Sequence, residues 1–192
     1  MRKEVIKQTG DLCASIDNVF VRIDNELRLL DADGCGSTGC VVIVRQEFGH
    51  RILYVANVGD TRAVLSQNGK AERLSCDHRP NDPNEVTRIK SQGGIIFDGR
   101  VGGSLAITRA FGDHALKKDG VIPNPFINKH VLRPFDKFLV IASDGVWDTI
   151  EDQVAVNLCR DELTTKQMAQ NIVKASIDQG SKDNTSCAVI RF

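Results

Sequence analysis

Between residues 40 and 75 four short apolar segments follow one another with no helix between them: CVVIVRQEF, RILYVANV, RAVLSQ and KAERLS. They are rich in Val, Leu and Ile, the residues that pack well on a pleated surface. Gly49-His50 and Asn68-Gly69 punctuate them, and Asn-Gly between two apolar runs is a strong hairpin signal. The spacing predicts an antiparallel meander. DKFLVIAS (136–143) reads as a further, fully buried strand, and TSCAVIRF closes the sequence as another. Strands that come in blocks, rather than alternating with helices, predict α+β layers and not a parallel doubly wound sheet. A length of 192 residues suits one domain with a real hydrophobic core.

Helical periodicity appears around these blocks. In DLCASIDNVFVRIDNELRLL, Leu12, Ile16, Val19, Phe20, Ile23, Leu27 and Leu30 recur at steps of three and four, which predicts an amphipathic helix. NDPNEVTRIKSQGG carries both end signals: Asp82 to cap, Pro83 at the first helical position, Glu85 to complete a capping box, and Gly93 to stop. Residues of about 150–160 and 164–179 read as two more helices, the second ending at Gly180.

Composition excludes several classes. The 25 basic and 25 acidic residues cancel, so there is no electrostatic case for nucleic acid or an anionic membrane. No apolar run approaches the roughly 20 residues of a membrane span. The opening MRKEVIKQTG lacks the apolar core of a signal peptide. The six cysteines are scattered without a C-x-x-C, so neither a zinc site nor a redox motif is indicated. Reduced thiols in a cytosolic or nuclear protein are the expectation.

The chemistry lies in the acids. Four turns after apolar strands set Asp beside Gly or Asn: VANVGDTRAVL (Asp60), RAFGDHALK (Asp113), IASDGVWD (Asp144, with Asp148 four residues on) and GSKDNTSCAVI (Asp183). Several such carboxylates at one end of a sheet would repel one another unless a cation neutralised them. Oxygen ligands with few histidines nearby favour Mg²⁺ or Mn²⁺ over zinc. Against this, an Asp-Gly pair is most often only a turn, and Asp33-Gly34, Asp98-Gly99 and Asp119-Gly120 read so. DADGCGSTGCVV offers Asp31, Asp33 and Gly36 in the order of a calcium loop, but Val42 stands where its glutamate belongs. His78 could serve as an acid but reads better as a turn histidine, and Trp147 as a packing residue.

Six blocks, in order, resemble the metal-dependent protein serine/threonine phosphatases of type 2C: GSTG (36–39), LYVANVGDTRAVL (53–65), DHRPNDPNEVTRI (77–89), GSLAITRAFGD (103–113), FLVIASDGVWD (138–148) and SKDNTSCAVI (181–190). The resemblance implies an α+β fold, an antiparallel β-sandwich flanked by helices, with a dinuclear Mn²⁺ or Mg²⁺ site at one end. Asp144 resembles the ligand that reaches the core metals and Asp183 its partner on the first. Asp60 and Asp148 resemble ligands of a third, weaker metal that shares Asp144. About 77–103 resembles the flap that borders the substrate site, with Gly102 where the family usually has Asn. The implied reaction is one-step hydrolysis of phosphoserine and phosphothreonine in a phosphoprotein by a metal-activated water.

One family segment is absent from the sequence. The turn D-G-H-G-G supplies a bridging Asp, a carbonyl ligand and a candidate acid His, and a phosphate-binding Arg precedes it; none has a counterpart here. No catalytic acid or phosphate-binding residue is therefore assigned. The expectation is that residues 1–192 form a C-terminal portion of the catalytic domain, lacking two N-terminal strands and inactive alone. A partner or another segment would then cover the exposed sandwich edge. The alternative is a catalytically inactive pseudophosphatase, or a regulatory metal- or partner-binding module, of the same fold.

Overall fold

In a computed structural model the described residues are 11–30 and 34–192. In chain order the elements are α1 (Leu12–Arg28), β1 (Gly36–Ser37), β2 (Gly39–Glu47), β3 (His50–Val58), β4 (Arg62–Gln67), β5 (Lys70–Arg73), α2 (Pro83–Ser91), β6 (Ile96–Phe97), β7 (Arg100–Val101) and β8 (Phe111–Gly112). A 3₁₀ turn (His114–Asp119), β9 (Phe126–Val131), β10 (Asp136–Ala142), α3 (Asp144–Trp147), α4 (Asp152–Asn157), α5 (Thr165–Asp178) and β11 (Cys187–Arg191) follow. The Asp33-Gly34 turn and the calcium-loop reading involve positions outside the described residues.

The chain divides into two compact units, each with its own core. One comprises Cys40–Val55, Thr61–Cys76 and Asn128–Phe192; the other comprises Met1–Gly39, Ala56–Asp60 and Asp77–Ile127.

The unit ending at Phe192 is layered. Its four-stranded sheet runs β11-β10-β4-β5, and a three-stranded sheet runs β2-β3-β9. Registry is regular: Leu139 faces Ile190 on one side and Leu65 on the other, all antiparallel. Because side chains alternate across a strand, neighbouring residues join different cores. Ala63, Leu65 and Leu139 pack with Leu53 and Val55 of β3, between the sheets. Val64, Val140 and Ala142 pack with Val146, Trp147, Ile150, Ala155, Val156 and Ile172 of the helices, on the other face. This is the expected antiparallel sandwich with a helical layer. The meander is corrected: β2 and β3 lie in one sheet and β4 and β5 in the other. β4 is buried along nearly all its length, so it needs a partner on both edges, and β10 supplies the second.

In the other unit α1 buries Leu12, Ile16 and Phe20, with Phe20 against Phe111 at 4.9 Å between ring centroids. Helix α2 begins as expected, its cap Asp82 accepting from Asn84 N at 2.7 Å, with Pro83 at its first position. The capping box does not form there, because Glu85 turns to two arginines. A reciprocal box forms instead at α5, between Thr164 and Gln167. The β6–β7 hairpin lies in the flap-like stretch, and Gly102 after it has φ +58°. That is the left-handed region, which glycine adopts at no steric cost.

Candidate metal centre

β10 delivers the acid-bearing turn. Ser143 closes the last rung to β11, its N–H donating to Ser186 O at 3.1 Å. Its hydroxyl then accepts from Ser186 N at 3.1 Å and donates to Asn184 O at 3.2 Å. Ser181 Oγ donates to Gly145 O at 2.6 Å. The turn after β10 and the loop before β11 are thereby laced together. Gly145 is required by this approach: a Cβ there would stand 2.5 Å from Asn184 O.

Asp144 is half-buried at the start of α3, and Asp148 is exposed at its end. Asp144 Oδ1 accepts from Gly145 N at 2.9 Å. Exposed Asp183 does the same for Asn184 N at 2.7 Å. Each carboxylate spends one oxygen on its own turn and keeps the second for another partner. Trp147 anchors the helix from below, its indole N–H donating to Ala142 O at 2.8 Å.

Asp60 belongs to the other unit, where it is buried and paired with Arg79 at 3.0 Å. The carbonyl of Gly59 beside it accepts from His78 N at 3.0 Å and lies 3.1 Å from His78 Nδ1. His78 is a buried structural histidine, as read from the sequence. Burial, aided by nearby Arg109, pushes its pKa down to about 4. Asp113 stays with its turn, its N–H donating to Cys35 O at 2.8 Å.

Among the described residues no group of three or more His, Cys, Asp and Glu stands together to hold a metal. What the structure brings together is Asp144 and Asp148 on one helical turn and the Asp183 loop laced to it. The donor chemistry fits a hard cation: partly solvated carboxylate oxygens, with Asp144 and Asp183 each bonding its own turn through one oxygen. By number these donors form an incomplete shell, which water or other ligands would have to fill.

Sequence reasoning missed two charge clusters. Glu85 is 3% exposed and accepts from Arg109 Nη2 at 2.6 Å, Arg88 Nη2 at 2.7 Å and Thr108 Oγ1 at 2.7 Å. Burial pushes its pKa up, but these bonds outweigh it and hold the carboxyl well below the usual carboxylate range. The same arginines reach the carbonyls of Gly120 and Asn124, so the cluster staples α2 to the 108–124 segment. The second cluster joins Asp152 to Arg62 at 2.6 Å and to Arg73 at 2.8 Å. Apart from the i,i+3 pair of Glu85 with Arg88, the partners are distant in the chain and leave no local signal.

The acids thus stand at the end of β10, an inner strand of a layered α+β sandwich. The protein phosphatase 2C family model matches residues 2–185, and the chain belongs to that family. It is 38% identical over 196 residues to protein phosphatase 2C homolog 1 of Schizosaccharomyces pombe, covering 100% of this chain and 55% of that protein. It is 34% identical to protein phosphatase 2C homolog 1 of Saccharomyces cerevisiae, covering 95% of this chain and 69% of that one. The chain thus spans little more than half of the first relative. In fold it resembles a serine-threonine phosphatase 2C from Toxoplasma gondii, with TM-score 0.79 and 24% identity over 100% of this chain and 71% of that one. A C. elegans sex determining protein gives TM-score 0.80 at 23% identity, over 99% of this chain and 49% of that one.

Proposed function

We propose that this chain is part of a metal-dependent protein serine/threonine phosphatase, with Asp144 and Asp183 as ligands of a core Mn²⁺ or Mg²⁺. Asp148 would serve a further, weaker site on the same turn. The observation that carries the reading is the lacing of the Ser143–Gly145 turn to the Ser181–Ser186 loop, which sets two carboxylate-bearing turns side by side. A bound pair of cations would supply an activated water and charge neutralisation at the phosphoryl group. The chain's own residues contribute the rigid post of β10, the spare oxygens of Asp144 and Asp183, and the exposed carboxylate of Asp148. The flap-like stretch, about 77–103, would border the phosphoprotein.

The sequence holds no D-G-H-G-G turn, so these 192 residues supply no bridging carboxylate. Hydrolysis of a phosphothreonine peptide by this chain with Mn²⁺ is therefore expected to be negligible. Turnover near about one per second, within the ordinary enzyme range, would overturn that expectation. The six cysteines are present as thiols, which suits a cytoplasmic or nuclear setting. Among the described residues no helix is long and apolar enough to cross a membrane. The metal reading is tested by titrating Mn²⁺ and following paramagnetic broadening of assigned amides. Broadening should centre on 144–148 and 183, with an affinity of roughly millimolar, and Asp144→Ala should abolish it. Broadening centred elsewhere would refute the assignment.

A further inference from the structure

We infer that Arg62 is a positioning residue that fixes the Asp144–Asp148 turn. The inference rests on the reading that this turn holds the cation. Arg62 opens β4 directly opposite Ala142, the last residue of β10. It is 8% exposed, and its guanidinium lies over the Trp147 ring at 5.1 Å from the centroid. Below, the Trp147 indole is tied to Ala142 O. The ring is therefore held from two sides, and its backbone is the segment between Asp144 and Asp148. Arg62 is itself held by Asp152, whose second oxygen takes Arg73 Nε at 2.8 Å. Burial pushes Asp152 up, yet the two arginine partners outweigh it and keep the carboxyl ionised. A chain of contacts thus runs from Arg73 through Asp152 and Arg62 to Trp147 and the acids.

A cation beside a metal site works against metal binding by Coulomb repulsion. If Arg62 acted only as a charge, removing it would tighten Mn²⁺. If it positions the turn, removing it loosens Mn²⁺. The two roles therefore predict opposite signs. The planar fork that stacks on indole while pairing with a carboxylate is specific to arginine, so lysine should not replace it.

The test compares wild type with Arg62→Lys, Arg62→Met, Arg73→Met and Asp144→Ala. Two quantities are read: hydrogen exchange of the Trp147 indole N–H and the Asp148 amide without metal, and Mn²⁺ affinity by amide broadening. Both Arg62 variants should speed exchange at both sites and weaken Mn²⁺ by roughly tenfold, as loss of an outer-shell partner does. Arg73→Met leaves Arg62 over the ring and should keep wild-type exchange. Unchanged exchange in Arg62→Lys, tighter Mn²⁺ in Arg62→Met, or an equal effect from Arg73→Met would each overturn the proposal. If wild type shows no broadening at Asp144, the metal reading fails while the exchange measurement still decides whether Arg62 fixes the turn. Should Arg62→Lys not fold, Asp152→Asn releases Arg62 without removing it and should speed the same exchange.

Discussion

Two buried groups that make stability depend on pH are His78 and Glu85. His78 is 1% exposed, with its pKa lowered from 6.5 to about 4. The unfolded chain takes up a proton below pH 6.5 while the folded chain does not until about 4. The folded state is therefore favoured above 6.5 and loses stability as pH falls from 6.5 toward 4, by about 3 kcal/mol in all. Glu85 acts lower down: its folded pKa lies below the unfolded value, so its contribution is present above about pH 4.5 and erodes beneath it. Urea unfolding of wild type between pH 7.5 and 3 should show both windows. His78→Gln should flatten the upper one and spare the lower. Glu85→Gln should cost about 3–5 kcal/mol at neutral pH, since it leaves two half-buried guanidiniums without their buried carboxylate. A wild-type stability that stays flat from pH 6.5 to 4.5 would contradict the His78 argument.

Among the elements, the loop before β11 holds the turn after β10 through backbone atoms, which makes Gly145 a critical position. Gly145→Ala must push Asn184 away or shift α3, because the neighbour at 2.5 Å is backbone carbonyl and not a flexible side chain. It should move the amide resonances of Asn184 and Ser186 and abolish Mn²⁺ broadening at Asp183. Ser181→Ala removes one hydrogen bond and should cost only about 1 kcal/mol, with Asp183 still broadened. Equal effects from both would mean the loop is not set by this close approach. The longer elements were legible in the sequence, since α1, α2 and α5 follow local periodicity and caps, and β4 and β5 an Asn-Gly turn; the short β1, β6–β9 and α3 were not. The turn acids were legible as types in a pattern. The sheet partition was not, because β4 pairs with β10 across some seventy residues, and no local signal encodes that partner. Glu85 was misread for a similar reason: its spacing fits a capping box, but Arg109, far along the chain, binds it more strongly.

For the whole molecule, the alternation along β10 divides one strand between two cores, and the single tryptophan reports on only one of them. Leu139 faces the other sheet, with Leu53, Val55 and Leu65. Val140 faces the helical layer, with Trp147 and Ile172. Both are fully buried, so both truncations leave voids. Leu139→Ala should cost about 2–5 kcal/mol and Val140→Ala somewhat less, since fewer atoms are removed. Their consequences should separate by layer. Val140→Ala loosens the packing beneath Trp147, so it should shift the native tryptophan emission and weaken Mn²⁺ at the Asp144 turn. Leu139→Ala should destabilise more while leaving native emission and Mn²⁺ affinity near wild type. The two variants thus test whether the acids take their rigidity from the helical layer or from the sandwich core. If Leu139→Ala, and not Val140→Ala, disturbs the tryptophan and the metal, the order of layers argued from the register of β10 is wrong.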